Sequence, residues 1–204
     1  MAHIPDGILS APVLIGGAVL AAAGVALALR RLDDRAIIRT ALLGAGFFTV
    51  SLISVPLGPT SVHLLLGGLI GLMLGPGAFV AVLVALLLQV LLFGVGGLTT
   101  LGVNTVNIAA PGVILAALLG PVIRRTPRAP LRAALAFACG AGAVLGTGGM
   151  VAASLALSAS DYTPVAAILL ATYLPLAAIE GAITAAVVAF FARVEPEALR
   201  PVAS

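Results

Sequence analysis

The sequence predicts an all-α polytopic membrane protein of about seven transmembrane helices, and three observations predict it. First, the 204 residues are 62% hydrophobic and 8% charged, with a mean hydropathy of +1.27. A soluble domain carries roughly 25% charged residues, so a chain this poor in charge cannot cover a water-facing surface, and lipid must be its solvent. Second, apolar runs near the ~20 residues needed to cross a bilayer recur along the chain. Third, the arginines gather in short segments between those runs.

The predicted spans are 11–30, 37–56, 63–75, 77–93, 108–123, 131–157 and 164–192, all within one membrane-embedded domain covering 1–204. The third is short and ends at Gly75-Pro76-Gly77, where Pro between glycines marks a sharp turn. Residues 63–93 therefore read as a tight helical pair. All ten cations are arginine. Arg30, Arg31, Arg35 and Arg39 follow the first span, Arg124, Arg125, Arg128 and Arg132 follow the fifth, and Arg193 and Arg200 lie at the end. With seven spans all three clusters fall on one face, and positive residues favour the cytoplasm. The expected orientation is N-terminus outside and C-terminus cytoplasmic. A basic balance built this way is not a nucleic-acid surface. The lone Cys139 excludes a disulfide framework and reads as a buried small side chain.

A cleaved leader needs a positive region before its apolar core. The opening MAHIPDGILS has no Lys or Arg and carries Asp6, so residues 1–10 are expected to stay. The outer face then receives His3, His63 and the segment 94–107, GVGGLTTLGVNTVN. That segment is too polar for a lipid-facing helix. Irregular backbone at membrane depth requires surrounding protein or a cavity, so a re-entrant outer loop is expected near 94–107.

A histidine near a free amino terminus offers an amine, backbone amide nitrogen and imidazole within one short stretch. A nitrogen-rich, planar donor set suits Ni(II) or Cu(II) better than Zn(II) or Mg(II). The ligands must be deprotonated, so binding weakens in acid. If Met1 is kept, it supplies the amine and His3 is third. If Met1 is removed, Ala2 supplies the amine, His3 is second, and one position stays open. His63 is the only other histidine.

Three stretches, HIPDGILS, SVHLLLGG followed by LGP, and LLLQVLLFGVGGLTTLGVNTVNIA, span about residues 3–112. They resemble the substrate-binding membrane (S) component of energy-coupling-factor transporters for nickel and cobalt, the CbiM/NikM-type family. The resemblance implies seven helices with the amino terminus tucked into an outward-facing pocket. It implies a metal held by the terminal amine, the following backbone nitrogen, the adjacent His and a second His, matched here by His3 and His63. Family members typically begin Met-His; removal of Met1 would restore that register with Ala2 as the amine. The resemblance places Thr99, Thr100, Asn104 and Asn107 as outer supports of the site, or as residues satisfying their own loop. Relatives carry a polar residue where Val95 stands here. Asp6 is expected to cap a turn after Pro5 or to orient His3.

On this reading Ni2+ or Co2+ is cargo, with no catalytic cofactor and no enzyme activity. The chain would be the capture subunit of an ATP-driven importer in a prokaryotic plasma membrane. No GxxxxGK[ST] motif and no Lys occur, so ATP energy must come from cytoplasmic ATPase subunits through a membrane coupling (T) subunit, with a small accessory membrane subunit as a further partner. The other reading is a stand-alone secondary transporter or channel for a divalent metal; it would need a pathway of buried acids, and only Glu180 is available. A structural hydrogen bond is the expected role of Glu180, and Gln89 should bond a neighbouring helix. No HExxH motif supports an intramembrane hydrolase.

Overall fold

The computed structural model describes residues 3–57, 60–159 and 163–200. In chain order these form α1 (Ala11–Leu29), α2 (Asp34–Ser51), β1 (Ser54–Leu57), β2 (Thr60–His63), α3 (Gly67–Leu74), a 3-10 turn (Gly75–Gly77), α4 (Ala78–Phe93), α5 (Leu101–Arg125), α6 (Ala129–Ser158), α7 (Thr163–Val194) and a last 3-10 turn (Pro196–Leu199). The helices start where the local chemistry favours it. Pro12 and Pro130 sit in the first turns of α1 and α6, where a missing N–H costs nothing. The Asp33 carboxylate accepts the Ala36 N–H at 2.7 Å and caps α2.

Among the described residues five runs are long and apolar enough to cross a membrane: Ala11–Leu29, Gly67–Phe93, Leu101–Arg125, Ala129–Ser158 and Thr172–Val194. Their outer faces are apolar: Ile15, Val19, Leu91, Leu118 and Leu157 all lie exposed. The chain reverses within Gly67–Phe93. Gly75, at φ 55° and ψ −132°, adopts a conformation open to glycine. Gly77 packs against Leu32 and Thr40 at the α1–α2 end, whereas Gly96, just past α4, packs against His3.

The arginines collect at one end of the bundle. Arg39 donates to the carbonyl of Arg200 at 3.1 Å and also to that of Ala198. Arg124, Arg125, Arg132 and Arg200 line one cavity of about 450 Å3, and Arg31 meets Arg124 in another. Members of all three clusters thus line neighbouring cavities at this end, although they are far apart in sequence.

Glycines set the closest helix contacts. A Cβ on Gly112 of α5 would lie 2.1 Å from the Gly67 carbonyl oxygen, and one on Gly71 would lie 2.3 Å from that of Gly112. Gly17 of α1 abuts Val103, and Gly102 abuts Ala18, so these small residues of α1 serve packing within the chain. Gln89 donates to Ser51 Oγ of α2, as its position in a span suggests. Cys139 is buried and free.

Two expectations need correction. The third span does not begin at His63: Ser54–Leu57 and Thr60–His63 pair as antiparallel strands with Ser54 opposite His63, and helix resumes at Gly67. Apart from this strand pair the described elements are helical, as the all-α reading expects. The irregular outer segment is also shorter than 94–107, because α5 starts at Leu101. Asn104, Thr105 and Asn107 are buried on that helix; they face protein, so their polarity is compatible with helix at this depth.

Candidate metal centre

The amino-terminal tail is part of the core. His3, Ile4 and Leu9 retain 6%, 4% and 8% of their surface, and Ile4 and Leu9 pack with Val103, Val151 and Leu155. Burying side chains of this size stabilises docking by about 1.5–3 kcal/mol each. Polar contacts fix the register. The Ile4 N–H donates to Asn104 Oδ1 at 3.0 Å, and Asn104 Nδ2 donates back to the Ile4 carbonyl at 3.0 Å. One side-chain amide thereby satisfies both backbone groups of Ile4, as a neighbouring strand would. Thr100 Oγ1 donates to the same carbonyl at 2.7 Å. Farther along, the Ser10 N–H donates to Ser158 Oγ at 3.1 Å.

Among the described residues Asp6 bonds neither its own turn nor His3, the two roles expected of it. Its carboxylate accepts the N–H groups of Leu98 at 3.1 Å, Thr99 at 2.9 Å and Thr100 at 3.3 Å, and the Thr99 hydroxyl at 2.5 Å. These groups lead into α5, where an anion complements the helix dipole. The Thr99 hydroxyl is the main cause that holds Asp6 below the usual carboxylate range; desolvation opposes it, and the backbone donors of Thr99, Thr100 and Leu98 add to the lowering. A Cβ at Gly97 would fall 2.0 Å from Asp6 Oδ1, so this clasp needs glycine.

The loop also floors the site. Gly96, at φ +89°, sets its backbone beneath His3, where an added Cβ would lie 3.7 Å from Nδ1. His63 closes β2 and is half-buried. Its Nδ1 is buried and makes no hydrogen bond among the described residues. Burial pushes the His3 imidazole down to about 4, with the nearby His63 adding to the effect. Burial also lowers His63. Both rings are neutral near pH 7, the state in which imidazole binds a metal.

Among the described residues no group of three His, Cys, Asp or Glu side chains could hold a metal. A site at His3 and His63 would therefore draw its remaining donors from groups other than these side chains. Met1 and Ala2, the candidate amines, lie outside the described residues. Thr99, Thr100 and Asn104 contact Asp6 and Ile4 rather than an imidazole, and Asn107 donates to Ser154 Oγ of α6 at 3.4 Å. They hold the tail that carries His3. Gly96, Ser158 and the apolar anchors Ile4 and Leu9 were not singled out from the sequence, although the apolar spacing within HIPDGIL was the available signal.

The lowered His3 value has a testable consequence. Docked His3 binds fewer protons than an undocked histidine, so its docking is fully stable above pH 6.5 and is lost as pH falls toward 4. The penalty reaches about 3 kcal/mol at ~1.36 kcal/mol per tenfold change. Hydrogen exchange at the Ile4 amide of the metal-free chain should accelerate over that window. A His3→Asn chain should lack the effect.

Comparison with known proteins places this architecture. The cobalt uptake substrate-specific transmembrane region (CbiM) matches residues 3–198. A protein of Haemophilus influenzae designated for metal transport is 40% identical over 201 residues, covering 97% of this chain and 96% of that protein. The fused nickel transport protein NikMN of Rhodobacter capsulatus is 40% identical over 124 residues, covering 56% of this chain and 35% of its own. The crystal structure of a transition metal transporter shares the fold, with a TM-score of 0.76 and 24% identity over 94% of this chain and 93% of that one. Fold and comparisons together define a multi-pass membrane protein of metal transport, a class distinct from enzymes. The chain belongs to the CbiM family.

Proposed function

We propose that this chain is the substrate-capture (S) subunit of an ATP-driven energy-coupling-factor importer. It crosses a prokaryotic plasma membrane seven times as one unit, N-terminus outside, and takes Ni2+ or Co2+ from the outer face. The ligands are the amine and amide nitrogens of the chain start, His3 and His63. Removal of Met1 makes Ala2 the amine donor. Nickel is favoured, because a planar nitrogen set suits it.

The observation that carries this reading is the buried tail, which holds His3 in the core, together with a His63 whose buried Nδ1 is unpartnered among the described residues. The arginine-rich end faces the cytoplasm, where the coupling subunit and ATPase subunits, with a small accessory membrane subunit, complete the transporter.

Two measurements on the purified protein test this. Mass spectrometry should find Ala2 as the first residue in metal-loaded chains; stoichiometric metal on chains that all retain Met1 contradicts that ligand set. In proteoliposomes, nickel uptake should require ATP and the partner subunits. Uptake by this chain alone, driven by an ion gradient, contradicts the capture role.

A further inference from the structure

We infer that Glu180, halfway along the last helix, is a positioning residue for the His63 imidazole, an inference that rests on the metal-capture reading above. Among the described residues Glu180 is the fully buried acid, with no exposed surface. An ionisable group at membrane depth persists where a specific partner holds it. Its partner lies at the metal centre's support. Glu180 Oε1 accepts the backbone N–H of Leu65, and the N–H of Leu66 also acts on the carboxyl.

Those two residues belong to the link 64–66 between His63 and α3. Leu66 stands at φ +47°, a left-handed conformation that a leucine keeps only when its surroundings enforce it. The carboxyl of Glu180 contributes to that enforcement, as an oxygen acceptor for the free N–H groups at the start of α3. Glycines make the reach possible. A Cβ on Gly68 of α3 would lie 2.6 Å from Gly140 Cα, and one on Gly140 of α6 would lie 2.8 Å from the Glu180 carbonyl oxygen. Three backbones thus stack closely enough for a side chain on α7 to hold the start of α3. With Leu65 and Leu66 fixed, the short link leaves His63 little freedom to leave His3. Glu180 also joins α7 to the site, although it is 117 positions from His63 in sequence.

The test uses the full chain in lipid nanodiscs titrated with Ni2+. Removing an outer support of a metal ligand typically costs ~10–100-fold in affinity, and Glu180→Ala should fall in that range. Its bound-nickel absorption band at saturation should also shift, since His63 is misplaced; a merely structural role would leave that band unmoved. Glu180→Gln keeps an oxygen acceptor for the same N–H groups and should restore most of the affinity and the band. Wild-type affinity and spectrum in Glu180→Ala overturn the inference, as does a Glu180→Gln chain as impaired as the alanine variant. If the alanine variant does not fold, the glutamine variant decides by the same readouts. If the wild-type chain binds no nickel, the capture reading fails. Hydrogen exchange then tests the hold on the link by itself: the Leu65 amide should exchange faster in a folded variant lacking the acceptor, and equal exchange overturns it.

Discussion

Replacing His63 with alanine is expected to lower nickel affinity by more than the ~10–100-fold that loss of an outer support costs, and to abolish capture at limiting metal. The reason is the scarcity of donors. The chain has two histidines, and no trio of His, Cys, Asp or Glu side chains that could hold a metal exists among the described residues. Nothing nearby can replace the lost imidazole. The variant should still fold, because His63 Nδ1 makes no hydrogen bond among the described residues and the ring is only half-buried. Equilibrium dialysis with 63Ni beside a thermal melt separates the two effects. An unchanged affinity in a folded variant removes His63 from the site.

The second large effect is on stability. Gly112→Leu should leave the chain unable to hold its metal-free fold, and Gly112→Ala should lower its melting temperature sharply. A Cβ at that position would meet the carbonyl oxygen and carbon of Gly67 at 2.1 and 2.7 Å. Both are backbone atoms in a packed crossing, so α3 and α5 must separate. Overpacking costs about 1–3 kcal/mol in cores that can adjust, and more where they cannot. Nickel affinity should fall as well, since Gly67 lies four residues beyond His63. Gly16 of α1 is the control: its added Cβ meets nothing within 4 Å, and Gly16→Ala should melt no lower than the parent. Equal melting of the Gly112 and Gly16 variants would contradict the close crossing.

Much of the fold was legible because lipid imposes a coarse rule. Apolar runs marked the helices, and the segregated arginines foretold an end where Arg31 meets Arg124 and Arg39 reaches Arg200. The strand pair Ser54–Leu57 and Thr60–His63 escaped because a window of membrane-span length averages its short strands into neighbouring helices. Asn104 and Asn107 were assigned to a loop because their polarity was weighed against lipid; on a helix facing the tail they are satisfied by Ile4 and Ser154.

The site divides similarly. His3 and His63 stood out because they are the chain's histidines and because the opening motif resembles a family with a metal-binding start. The clasp between Asp6 and residues 98–100 pairs groups more than ninety positions apart, and the Glu180 contact with Leu65 spans 115. No local pattern encodes such partners. Burial of Glu180 was predictable from its place in an apolar helix, whereas its target was not. The structural hydrogen bond expected of it is present, and its location beside the His63 link gives that bond a functional meaning.

X-ray absorption at the nickel K-edge of the metal-loaded protein tests the central claim most directly. A chain start folded into the bundle and joined by both imidazoles predicts a planar, four-coordinate, all-nitrogen shell, with the multiple-scattering signature of two imidazoles in the parent and one in His63→Ala. A six-coordinate shell rich in oxygen, identical in the two proteins, would contradict it.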